Sequence, residues 1–122
     1  MAWLLVALVV IQFYTAGLGM FGGASFSGHR VVGSGSALIA LLLLVVVLVA
    51  RRGREISLYA LGCTILSVLQ PVLIFVVRPR SPELAAIHPV VGMLIGVLAW
   101  LVATRGSTLR VTSISQPVRN QS

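Results

Sequence analysis

Residues 37–54 read ALIALLLLVVVLVARRGR. Fourteen uncharged, apolar residues run into three arginines within four positions. Traced back to Val31, the uncharged run covers residues 31–50. A helix needs roughly 20 apolar residues to cross the hydrocarbon of a bilayer. Arginines packed against the end of such a run mark a loop at the membrane surface. The same pattern recurs in three more stretches without formal charge, 1–28, 56–77 and 84–104. Each is long enough for one crossing and too short for two plus a turn. The sequence therefore predicts an all-α, four-helix transmembrane bundle with spans near 2–21, 32–50, 56–77 and 84–104. The short connections make neighbouring helices antiparallel. A lipid-exposed open sheet is excluded, because its edge groups would be unpaired in hydrocarbon.

Composition points the same way. The 122 residues are 58% hydrophobic and 9% charged, with a net charge of +7 and a mean hydropathy of +1.08. These values exclude an ordinary soluble domain and a disordered chain. All nine basic residues are arginine, and they lie between apolar runs with no patterned basic face, so they do not suggest nucleic acid. Cys63, the one cysteine, excludes an internal disulfide and a CxxC metal site. The first span has no basic segment before it and runs on past Ala16, unlike a signal peptide.

Arginine counting sets the expected orientation. Arg51, Arg52, Arg54, Arg105, Arg110 and Arg119 lie on one side, and Arg30, Arg78 and Arg80 on the other. The excess of basic residues predicts both termini in the cytoplasm of a bacterial inner membrane. Residues 1–104 form the expected membrane domain, and 105–122 a basic, polar, mobile cytoplasmic tail.

The two histidines of the chain sit in related settings, His29-Arg30-Val31-Val32-Gly33 and His88-Pro89-Val90-Val91-Gly92. Gln12 precedes His29 by 17 residues, and Gln70 precedes His88 by 18. The simplest account is a duplicated hairpin, the first two spans repeated as the last two. Parallel repeats are related by a pseudo-two-fold axis along the membrane normal. Such an axis puts both histidines near the outer surface, at equivalent positions around the bundle centre.

Each glycine lies one turn deeper than its histidine, on the same helical face. Ala37 on the second span, and Gly96 with Ala99 or Ala103 on the fourth, continue small stripes. Two readings follow. In one, His29 and His88 ligate one haem b iron, Gly33 and Gly92 leave room for the macrocycle, and Arg30, Arg78 and Arg80 pair with its propionates. In the other, the small stripes only pack helices together and the histidines sit in interfacial water. A proton relay is a further alternative. A bare zinc or copper ion fits less well. Two histidines with Glu83, Cys63, Met20 or Met93 fall short of a four-ligand set, and Cys63 is expected toward the cytoplasmic end.

Gln12 and Gln70 fall inside their spans, about 10–13 Å deep at 1.5 Å per residue. Interhelical hydrogen bonds are one role for them, and contact with a quinone or a cofactor edge the other. Pro71 is expected to kink the third span and free the Ser67 carbonyl, which Gln70 satisfies unless the kink widens the bundle. Ser81-Pro82-Glu83 reads as an N-cap, a proline at the first helical position and an acid in the first turn, so the fourth span starts before His88 and kinks at Pro89. Trp3, Tyr59 and Trp100 are expected in the cytoplasmic aromatic belt. Gly17, Gly19, Gly22 and Gly23 make the end of the first span pliable, and Phe21 and Phe26 anchor the outer loop. No phosphate loop, nucleophile elbow or paired carboxylate indicates an enzyme.

The chain resembles an uncharacterised family of small four-span bacterial membrane proteins. The matching residues are Gln12-Phe13, Ala16-Gly17, His29-Arg30 with Gly33, Leu69-Gln70-Pro71, and His88-Pro89 with Gly92. That resemblance implies the four-span fold and no activity. Membrane b-type cytochromes are similar in a more general way, placing histidines beside glycines on bundle helices, often as two pairs on opposite sides of the membrane. Here one pair exists, which implies one haem near one surface. Electron exchange would then need a quinone pool, an outer carrier or a larger complex. The specific expectation is thus a small membrane b-type cytochrome for electron transfer. The alternative is a non-catalytic accessory or assembly subunit of a larger membrane complex.

Overall fold

The computed structural model describes the backbone of residues 1–114 and the side chains of residues 1–106. Helix α1 spans Ala2–Phe21, α2 Ser27–Val49 and α3 Arg54–Val72. A π-helical segment, Leu73–Val77, prolongs α3. The short α4 (Pro82–Ala85) leads into α5 (His88–Ile114). Four helical stretches, Ala2–Phe21, Ser27–Val49, Arg54–Val77 and Pro82–Gly106, are long and apolar enough to cross a membrane. This is a small membrane protein, and its fold is the expected all-α antiparallel bundle.

Backbone chemistry sets where the helices stop. Gly22 closes α1 by donating its N–H to the Leu18 carbonyl, and Gly23 turns the chain with φ +66°. Arg51 makes the turn after α2 at φ +48°, a left-handed conformation that usually goes to glycine. Pro71 has no N–H for the Ser67 carbonyl. The helix accommodates it by widening in the next turns, where Arg78 donates to Leu73 over five residues. Ser81 stands at the N-cap of α4, but its hydroxyl makes no capping bond. The fourth span begins before His88 as expected, but its interruption falls at Ala86–Ile87 and not at Pro89, and α5 restarts at His88. Pro89 then lies in the first turn of α5, where a missing N–H costs little. At its far end α5 continues helical to Ile114, so residue 104 is not a helix end. The rest of the expected tail, 115–122, lies outside the described residues.

Packing runs in a closed ring: α1 on α2, α2 on α3, α3 on α5, and α5 on α1. Buried residues recur three and four apart, as in Leu5 and Val9 on α1, Ser36, Ala40, Leu43 and Val47 on α2, and Ile56, Ala60, Cys63 and Ser67 on α3. Val91, Ile95, Ala99 and Val102 complete the ring from α5. Leu5, Ala40, Ala60, Cys63 and Ala99 are wholly buried, and the small ones among them let the backbones approach. Many other large apolar side chains point outward, Val10, Ile65, Val68 and Phe75 among them, which suits a lipid environment.

One end of the bundle carries the chain's N-terminus and the α2–α3 turn. There Glu55 pairs with Arg105, Tyr59 donates to Glu55 at 2.6 Å, and Arg105 donates to the Tyr59 hydroxyl at 2.8 Å. These contacts tie α3 to α5. The opposite end carries both histidines. Two substitutions separate core from surface. Ala99→Leu should lower stability by about 1–3 kcal/mol through overpacking, whereas Glu55→Gln should cost under about 1 kcal/mol. Thermal unfolding in one detergent reads the difference, and an equal effect of both would contradict the tight centre at Ala99.

Candidate functional site

Gln12 and Gln70 project from α1 and α3 toward the first turns of α2 and α5, and both are half-buried. A primary amide in hydrocarbon must find partners for two N–H groups and an oxygen. With its NH2 turned to the acceptors, the Gln12 amide donates to the His29 carbonyl and to His29 Nδ1, each at 2.8 Å. Its oxygen accepts the Gly33 N–H at 2.9 Å. Gln70 makes the corresponding set, to His88 Nδ1 at 2.6 Å, the His88 carbonyl at 3.1 Å and the Gly92 N–H at 3.0 Å. The His29 carbonyl and the Gly33 N–H are the two ends of one i→i+4 helical pair. Each glutamine thus docks side-on against a single backbone hydrogen bond of the next helix.

That docking explains the glycines. A Cβ at position 33 would lie 2.5 Å from the Gln12 amide, and one at 92 would lie 3.1 Å from the Gln70 amide. The space expected for a macrocycle face is therefore taken by the two amides, and the glycines make room for glutamine. The Ser67 carbonyl does not receive the Gln70 amide as expected, because that amide is committed to α5. The Ser67 hydroxyl is buried without a hydrogen-bond partner.

The histidines meet across the bundle. Their ring centres are 6.0 Å apart, with the planes inclined at 60°. His29 Nδ1 also lies 3.1 Å from the backbone oxygen of Gln12. Residues 12 to 77 match the model of a family of unknown function, DUF6220. The chain belongs to that family. No curated protein and no solved structure matches it. The DUF6220 match takes in Gln12, His29, Gly33 and Gln70 and ends before His88 and Gly92.

The remaining expected site residues of this DUF6220 protein lie nearby without closing on the rings. Arg30 is exposed beside His29, and Arg78 and Arg80 are exposed in the turn after the π segment. Arg80 donates to the Val76 carbonyl at 2.8 Å. Cys63 is in the core, with Sγ 3.7 Å from the Ile95 carbonyl and away from the histidines. Among the described residues no three His, Cys, Asp or Glu side chains gather as a metal cluster.

Two aromatic residues of the site were not legible as such. The Phe26 ring meets His29 edge-on at 6.3 Å and leans on Gly19, where a Cβ would come within 2.8 Å of it. The Phe13 ring lies 3.7 Å from the Cβ position of Gly92, next to the Gln70 amide. The signal for both is a small residue facing a ring, which only the packing reveals.

The glycine geometry orders two variants. Gly33→Ala should displace the Gln12 amide and cost about 1–3 kcal/mol as its partners are left unpaired. Gly92→Ala, with more room, should cost less. Melting temperatures of both variants in one detergent check this, and a more stable Gly33→Ala would contradict the docked amide.

Proposed function

We propose that the protein is a small membrane electron-transfer protein in which His29 and His88 are the axial ligands of one haem b. The observation that carries this reading is the approach of the two rings to 6.0 Å between centres, with their planes inclined at 60°. Two imidazoles each bound at about 2.0–2.1 Å to one shared metal would bring their ring centres to a similar separation. Two imidazoles suit a metal that brings further nitrogens of its own, whereas a structural zinc ion wants four protein ligands. Ligation through Nε2 would put each ring proton on Nδ1, so each glutamine amide would have to turn its oxygen to the ring and leave the glycine face when haem binds.

Haem supplies one-electron chemistry at such a site. The protein's own residues do the rest. His29 and His88 come from different hairpins, so ligation ties the first half of the bundle to the second. Arg30, Arg78 and Arg80 put positive charge at the polar edge of the site, where haem propionates need partners. The equivalent bonding of Gln12 and Gln70 supports descent of the two hairpins from one duplicated unit. With one histidine pair near one surface, electrons pass to and from partners on that side, a membrane quinone or an external carrier. The arginine count supports an outward-facing site in a bacterial inner membrane.

A reduced-minus-oxidised absorption spectrum of the detergent-purified protein, expressed with haem supplied, tests the proposal. The expected result is a b-type spectrum near one haem per chain, lost in both His29→Ala and His88→Ala. A featureless spectrum of the folded protein would overturn it. Full haem retention in either single variant would overturn bis-histidine ligation.

A further inference from the structure

A groove of about 330 Å³ runs along the seam of α1 and α5. Val10 and Phe13 line it from α1, and Met93, Gly96, Val97 and Trp100 from α5. Small-molecule sites commonly enclose about 300–1,000 Å³, so the groove has the size of one. At its floor the two helices come close, since a Cβ at Gly96 would lie 3.2 Å from Val9 Cγ1. Its side chains are apolar, and they belong to stretches long and apolar enough to cross a membrane.

A polar group stands beside the outer end of this groove. Tyr14 lies one helical turn beyond Val10, on the same side of α1. Its side chain is 66% exposed, and among the described residues nothing bonds its hydroxyl. Phe21 ends α1 seven residues further on, which puts Tyr14 about 10 Å below the helix end at 1.5 Å per residue. That is deeper than the headgroup level where membrane tyrosines are usually found. A phenol in hydrocarbon still seeks an acceptor. The same end of the groove adjoins the histidine site, because the Phe13 ring lies 3.7 Å from the Cβ position of Gly92.

We propose that the groove between α1 and α5 binds a membrane quinone, with its ring beside Phe13, its tail along Val97 and Trp100, and one ring carbonyl accepting from the Tyr14 hydroxyl. A quinone carries carbonyl acceptors on a flat apolar ring and a long hydrocarbon tail, so it answers both the groove and the phenol. A phospholipid chain answers only the groove, since its ester oxygens sit at the headgroup level, above Tyr14. Service of this quinone as the electron partner rests on the function proposed above, whereas its binding does not.

The test uses the full chain, free of haem, in detergent micelles. Of the two tryptophans, Trp100 lines the groove, so Trp3→Phe leaves its fluorescence as the readout. A decyl-substituted benzoquinone is titrated in, and quinones quench indole fluorescence on contact. Quenching should saturate. Tyr14→Phe, which keeps the ring and loses the hydroxyl, should weaken binding about 2–10-fold. Val10→Phe, on the lipid-facing rim, should narrow the groove and weaken binding as well. Decylbenzene, which has the tail and no carbonyl, should compete only at much higher concentration.

Quenching that rises without saturation and equally in every variant would reflect partition into detergent and overturn the proposal. Equal affinity of Tyr14→Phe and its parent would overturn it too, as would decylbenzene competing as well as the quinone. Saturable, Tyr14-dependent quenching in a protein that takes up no haem would remove the electron-transfer reading and leave the quinone site standing. Haem uptake without saturable quenching would do the opposite.

Discussion

A carboxamide in hydrocarbon has no water to fall back on, and that constraint shapes the histidine end of this bundle. Gln12 and Gln70 satisfy it against the backbone of the neighbouring helix, each spanning a carbonyl and an N–H four residues apart. The bond set fixes the register of α1 on α2 and of α3 on α5 at once. It favours glycine at 33 and, less strictly, at 92, because a Cβ there would crowd the amide. It also holds the two imidazoles near the start of their helices, where their ring centres come within 6.0 Å of one another. In a membrane, where apolar contact with lipid competes evenly with apolar contact between helices, such polar docking supplies specificity that burial alone does not.

The rest of the bundle is consistent with that anchor. Away from the histidines alanine, serine and cysteine alternate with leucine, isoleucine and valine in the core, and at the small positions the helices come close together. At the far end Glu55, Tyr59 and Arg105 form a second polar tie between α3 and α5. That tie is exposed and contributes modestly. The two ends differ in kind, one a surface ion pair and the other a half-buried network of amides, rings and backbone.

Much of this was legible in the sequence. Charge-free runs of helical length gave the spans, and the arginine clusters at 51–54 and 78–80 marked turns. The two histidine-to-glycine segments, each preceded by a glutamine, point to a paired site from spacing alone. The destination of the glutamines was not legible, since spacing alone does not say whether an amide seeks a carbonyl, a ring or a cofactor. The glycines were accordingly read as room for a macrocycle, when the amides fill that room. Pro71 announced a disturbance in α3 but not that a π turn would absorb it. Pro89, with no N–H for the Ala85 carbonyl, announced an interruption of the fourth span but not that it would fall at Ala86–Ile87, and Phe13 and Phe26 acquire a role only through the small residues they face.

The proposed electron-transfer function requires His29 and His88 to share one iron. Electron paramagnetic resonance of the oxidised, haem-loaded protein tests that sharing most directly. The predicted result is a low-spin ferric signal characteristic of two nitrogen ligands, converted to high spin in both His29→Ala and His88→Ala where any haem remains. A high-spin signal in the parent protein, or a low-spin signal that survives loss of either histidine, would contradict it.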